Sequence, residues 1–170
     1  LRDKNRDLTR RLGELGMNAQ DNQRLTQHIH ALSLALLRAR QPADVVQTLA
    51  ACLKEDFAGE SIRVISFTTI PGMLGDWFSH IPAEDPRLQP FADCLASGEP
   101  ICGRLNPEKL PVLFGDDRVH TQSIALIPVA DVGLIAVGSA DPHRFYPGMG
   151  TLFLRWIGEL FQTALIQSRR

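Results

Sequence analysis

Ser123-Ile124-Ala125-Leu126-Ile127-Pro128-Val129 and Gly133-Leu134-Ile135-Ala136-Val137-Gly138-Ser139 decide how this chain folds. Each run is short, rich in β-branched residues and apolar nearly throughout, and the link between them is brief, so the pair reads as a hairpin. A strand without polar alternation must be covered on both faces. One cover follows directly: Asp141-Pro142-His143-Arg144-Phe145 leads into a predicted helix from about Thr151 to Gln167, dense in Leu, Phe, Trp and Ile. This order specifies a scaffold and carries no reaction.

The remaining chain fits one core with an appendage. At 170 residues and 44% hydrophobic content, a single domain is expected. No run of about 18 apolar residues and no charged-then-apolar leader occurs, so neither a membrane span nor a signal peptide is expected, and the expected location is the cytoplasm. The chain starts at Leu1 and not at Met, which leaves a removed leader open. Cys52, Cys94 and Cys102 lie in or beside apolar segments and are odd in number, a pattern of reduced, buried thiols. Residues 1–40 hold eight Arg or Lys against four Asp or Glu, and the rest ten against fifteen. Arg2, Lys4, Arg6, Arg10 and Arg11 alternate with Asp3, Asp7 and Glu14, as on a solvated helix surface with internal ion pairs, so direct nucleic-acid binding is not expected.

Residues 1–40 contain no proline and end at Gln41-Pro42, which predicts one long helix. Leu8, Leu12 and Leu15 are spaced four and three apart; Leu25, Ile29, Leu32 and Leu36 are spaced four, three and four. This is the narrow seam of a coiled coil, broken between Leu15 and Leu25 by Gly16, Asn18, Asp21 and Asn22. Such a seam needs another helix, and the simplest source is a second copy of the chain, so these seven residues form the expected homodimer interface. The alternative is that the helix folds back onto its own domain.

Beyond Pro42, a helix is predicted over 43–56, a strand over 61–70, a turn at Pro71-Gly72, and a second strand over 77–81. A helix starting at Asp85-Pro86 and stopping at Gly98 follows, then a strand over 100–105 and a helical turn over 107–114 before the hairpin. The expected class is α+β: an antiparallel sheet in residues 41–170 with helices on one face, preceded by the long coiled-coil helix. Loops are expected on the other face, where a small ligand would bind.

Several blocks resemble a known family. Ser97-Gly98-Glu99-Pro100-Ile101-Cys102-Gly103-Arg104-Leu105, Leu113-Phe114-Gly115, Ser123 to Pro128, Gly138-Ser139-Ala140-Asp141 and Arg144-Phe145-Tyr146-Pro147-Gly148-Met149-Gly150-Thr151 resemble the bacterial DUF484 family of GAF-like proteins over about residues 25–167. The resemblance implies a GAF-like fold and a sensory or protein-interaction module, dimeric and possessing a pocket for a small effector or a surface for a partner protein. It also implies an association with a tyrosine recombinase, hence a role in a DNA-linked assembly as an alternative. The pocket lining expected on this basis is Phe67, Trp77, Phe78, Cys94, Cys102, Arg104, Phe114 and His120, with Arg104 holding an anionic group.

GAF subclasses carry recognisable signatures. The cyclic-nucleotide pattern is only suggested by Asn106, Lys109, Phe114, Asp116 and Asp117, which lack the adjacent Asn-Lys and the final Glu. Leu53, Leu95 and Gly103 follow the three cysteines where a bilin-binding Cys is usually followed by His. For haem or metal, only His28 and His30 are close, and at i and i+2 they point to different sides of a helix. The enzymatic alternative resembles the reductases of free methionine sulfoxide: Ile101-Cys102-Gly103 and Asp141-Pro142-His143-Arg144-Phe145 match pieces of it, with Cys94 or Cys52 to resolve Cys102. That pattern has a further Cys where this chain reads Val119-His120-Thr121-Gln122, so a non-enzymatic module is the primary reading. No cofactor is assigned.

Overall fold

A computed structural model describes residues 2–56, 61–73, 75–104, 110–115, 120–145 and 151–169; within these, the side chains of residues 10–22, 56 and 110 are not described. The hairpin forms as β4 (Ser123–Val129) and β5 (Gly133–Ser139), and every residue of both strands is buried. Val132 N–H donates to Val129 O at 3.1 Å, with Asp131 between them at φ 61°, which closes a tight turn. Around this pair run α1 (Arg2–Arg38), α2 (Pro42–Asp56), β1 (Ser61–Ser66), β2 (Phe78–His80), α3 (Ala92–Ser97), β3 (Ile101–Gly103), α4 (Leu110–Phe114) and α5 (Leu152–Ser168).

The five strands lie in the order β2-β1-β5-β4-β3. The expected all-antiparallel sheet is corrected here: β1 and β2 are parallel, so the sheet is mixed. The cause is the path of the chain between them. Residues 67–77 are too many for a hairpin turn, and Ile70 within them is buried in the helix-side core, so the chain crosses back before β2 begins. β1 is also shorter than predicted. Ser66 Oγ donates to Thr68 O at 2.6 Å and accepts from Thr68 N at 3.3 Å, a local turn that competes with the ladder and ends the strand.

One face of the sheet carries Ile62, Val64, Ala125, Ile127, Val129, Ile135 and Val137 against Leu32 and Leu36 of α1, Val45, Val46, Leu49 and Leu53 of α2, and Leu154, Ile157, Phe161 and Leu165 of α5. The last four are spaced three, four and four, the stripe expected of a helix with one buried face. Gly158 sits within it where a Cβ would come 3.0 Å from Ile127 Cγ2, so α5 rests close on β4.

The other face is not left to loops, which corrects the second expectation. Ile65, Ile124, Leu126, Leu134 and Ala136 pack there against Ile81, Leu88, Phe91, Cys94, Leu113 and Phe114, a second core built from short helical pieces. The single helix predicted from Asp85-Pro86 to Gly98 divides because Pro90 has no N–H for an α-helical ladder. Pro86–Phe91 is therefore a 3-10 segment, and α3 takes over at Ala92. Asp85 caps its start, accepting from Arg87 N at 2.9 Å; the Arg87 side-chain hydrogen bond also holds the carboxyl below its usual range. Gly98, at φ 70°, closes α3 with its N–H on Cys94 O.

The link from β5 to α5 is tied by buried serines. Ser123 Oγ donates to Asp141 O at 2.6 Å and accepts from Phe145 N at 3.2 Å, while Ser139 Oγ accepts from Asp141 N at 3.1 Å. Ser123→Ala orphans a buried N–H and a carbonyl at once, and is expected to lower stability by about 1–3 kcal/mol. Urea unfolding checks this; an unchanged midpoint would show that the link is held by Phe145 packing alone.

Candidate functional site

The turn between β4 and β5 ends in open space. Beside it lies a cleft of about 490 Å3, with Phe67, Leu95, Pro128 and Val129 as apolar walls and Glu84 and Asp131 among its rim residues. A second hollow of about 300 Å3 shares Gly98, Pro128, Val129 and Ala130 and continues onto the side of α5 that bears Arg155, Glu159 and Gln162. The two form a trough around the hairpin tip. Gln162 Nε2 donates to Ala130 O at 3.0 Å, and Arg155 pairs with Glu99 across the second hollow. Both partners of that pair are exposed, so it fixes geometry more than it adds stability. Four carboxylates, those of Glu84, Glu99, Asp131 and Glu159, surround the tip against the one guanidinium of Arg155 among the described lining residues. The local potential therefore favours a cation.

Local sequence explains the placement. Asp131 takes a left-handed conformation, which Asp tolerates better than most residues, and so the chain reverses within three residues. Glu84 lies in the Pro82–Asp85 turn, closed by Asp85 N–H on Pro82 O at 3.0 Å. Neither acid was among the residues expected from sequence. The signal that points to Asp131 is an acidic residue at the apex of an apolar hairpin.

The expected pocket residues do not converge. Phe67 alone lines the cleft. Cys94 and Phe114 are buried in the second core, filling the volume that was expected to be open. Trp77, Phe78 and Cys102 pack against the helix-side core, on the opposite face. The register accounts for Cys102: it pairs with Ala125, whose face it shares. Arg104 and His120 are exposed and line neither hollow. Asn106, Lys109, Asp116 and Asp117 of the cyclic-nucleotide comparison lie outside the described residues.

The thiols are likewise apart. Cys94 and Cys102 face opposite sides of the sheet. Cys52 is on α2, which packs over β1, and β5 and β4 separate β1 from β3, about 14 Å across three strand spacings. Burial pushes the Cys102 thiol above its usual pKa, outweighing the downward pull of the Arg144 charge. The thiol is thus protonated at neutral pH and a poor nucleophile. Native Cys102 is expected to react with iodoacetamide more slowly than a free thiol at pH 8, and Arg144→Ala to slow it further. Alkylation followed by peptide mass mapping checks this, and a rate above that of free cysteine would contradict it. Because the fold raises this pKa, the group's contribution to stability is complete below the ordinary thiol range and is lost as pH rises through the folded value.

Among the described residues, no three His, Cys, Asp or Glu side chains gather as a metal-ligating group, and no helix is long and apolar enough to cross a membrane. No curated protein matches the chain. A family model described as "Protein of unknown function, DUF484" matches residues 1–167. With nearly the whole length matched, the chain belongs to the DUF484 family.

Proposed function

We propose that this chain is a non-catalytic, GAF-like interaction module that pairs with a second copy through the first part of α1 and receives a small cationic effector in the cleft at the hairpin tip. The observation that carries the pairing is the unequal burial of one helix. Leu32 and Leu36 are 0% and 4% exposed in the chain's own core, and Leu25 and Ile29 pack beside them, whereas Leu8 is 56% exposed. The second leucine block is therefore occupied in cis. The first block retains its spacing without a partner in its own domain at Leu8; the side chains of Leu12 and Leu15, which continue the spacing in sequence, lie outside the described residues. At about 1.5 Å per residue, the α1 backbone places Leu8 about 25 Å along the helix axis from Leu25. Another helix meeting Leu8 would bury it at a two-stranded seam.

The GAF-like assignment is supported by the terminal helices α1, α2 and α5 sharing one sheet face, with short segments on the other. The effector reading is supported by the cleft's apolar walls and its carboxylate rim. Two thiols on opposite sheet faces and a protonated Cys102 speak against thiol redox chemistry.

Native mass spectrometry of protein purified from its own host tests the reading. The expected result is a mass of two chains, each retaining one small amine-bearing compound, and Leu8→Glu is expected to give single chains with the thermal midpoint of the parent protein diluted to single chains. A monomeric parent protein at micromolar concentration would overturn the pairing, and two chains with no retained compound would overturn the effector.

A further inference from the structure

The trough at the hairpin tip has two ends, and strand pairing explains why it is open between them. Ile101 of β3 pairs with Leu126, and among the described residues no strand pairs with the rest of β4 on that side. Val129 turns its carbonyl toward β5, accepting from Val132 N–H at 3.1 Å. Backbone polarity alternates along a strand, so Pro128 faces the other edge, where it has no N–H to offer a further strand. The gap left there is the passage. At one end Glu84 and Asp131 stand with Phe67 and Leu95; at the other Glu159 and Gln162 stand on α5. Gly98, Pro128, Val129 and Ala130 line both, so the path from end to end bends around the edge of β4.

The carboxylates along this path are not equivalent. Asp85 is held by Arg87 at 3.0 Å, and Glu99 is paired with Arg155. Glu84, Asp131 and Glu159 have no ion-pair partner among the described residues. Gln162 gives its Nε2 hydrogen to Ala130 O at 3.0 Å, which leaves Oε1 as an acceptor one turn from Glu159 on the same side of α5. Uncompensated negative charge therefore stands at each end of a passage with apolar walls. A ligand with one ammonium satisfies one end only, and a flat ring does not follow the bend. A methylene chain does, and it gains from contact with Phe67, Leu95 and Val129. We propose that the trough binds a linear aliphatic diamine or polyamine, with one ammonium on Glu84 and Asp131, the methylenes over Pro128 and Val129, and the second ammonium on Glu159 and Gln162. The inference rests on the cationic-effector reading of the cleft and names the ligand class; it is independent of pairing through α1.

Isothermal titration calorimetry of the full chain with butane-1,4-diamine, hexane-1,6-diamine and octane-1,8-diamine tests the proposal, each set against the monoamine of the same carbon number and against magnesium chloride. One of the diamines is expected to bind once per chain and about tenfold more tightly than its monoamine, the gain of a second charge-assisted contact. Glu159→Gln, an exposed change on α5, is expected to bring that ratio to about one. Asp131→Asn keeps a residue that tolerates the left-handed backbone and is expected to weaken diamine and monoamine alike. A monoamine that binds as tightly as its diamine, and is weakened by Asp131→Asn, overturns the two-ended ligand while the cationic reading of the cleft stands. Magnesium binding as tightly as the best diamine, as bare charge attraction would produce, or a ratio indifferent to Glu159→Gln, also overturns it. Absent binding of every amine overturns the cationic reading and this inference together.

Discussion

Gly133→Ala is expected to leave little folded protein. A Cβ at this position would lie 1.8 Å from Ile65 O and 2.9 Å from Ile65 C, both backbone atoms of the adjacent strand. No rotamer relieves such a clash; β5 must separate from β1 where Gly133 pairs with Ser66. Displacing the central strand of a mixed sheet places the effect at the severe end of single substitutions, about 3–5 kcal/mol. Against a total stability of about 5–15 kcal/mol, that loss removes much or all of the folded population. Circular dichroism with urea unfolding measures it. Gly98→Ala is the control: a Cβ there meets nothing within 4 Å, so only the left-handed backbone is strained, at about 1–2 kcal/mol. A Gly133→Ala protein as stable as the Gly98→Ala protein would mean that β1 and β5 are not paired in this register.

The second large effect concerns α1. Leu32 is fully buried among α2, α5 and the sheet, and Leu32→Ala is expected to cost about 2–5 kcal/mol through lost burial and the cavity left behind. Leu8→Ala, on the same helix, is expected to leave the stability of the isolated chain within about 0.5 kcal/mol, since the side chain is exposed. Urea midpoints at low protein concentration separate the two. Equal midpoints would show that the second leucine block is not part of the core. The contrast matters because both residues look alike in sequence: each is a leucine in a four-and-three seam. Only the packing of Leu25, Ile29, Leu32 and Leu36 against the chain's own domain assigns them different work.

Much of the scaffold was legible because its signals are local. The two apolar runs around residues 123–139 and the spacing of Leu154, Ile157, Phe161 and Leu165 carry their own periodicity, and Gly98 and Pro42 mark helix ends. The direction of β2 was not legible. It depends on where residues 67–77 travel, and a buried Ile70 on the helix side leaves no signature distinct from an ordinary apolar loop residue. The split of the predicted 86–98 helix could have been read from Pro90, which sits too far in for a first turn.

The site was less legible, for a different reason. Phe114 and Cys94 are as suitable for a pocket wall as for a core, and composition does not separate the two. Face assignment could have gone further: once Cys102 is opposite Ala125 it must share the face of Ile127 and Val129, away from Cys94, but that register comes from strand pairing rather than from spacing along the chain. Glu84 and Asp131 were missed because they stand on turns, where the sequence announces a reversal without stating what the turn approaches.

Amide hydrogen exchange along α1, followed at low and high protein concentration, tests the central claim that one helix serves the core with its second leucine block and a second copy with its first. The expected result is core-level protection at Leu32 and Leu36 at both concentrations, and protection around Leu8 that appears only as concentration rises. Exchange around Leu8 that does not change with concentration, or protection at Leu32 that disappears on dilution, would contradict it.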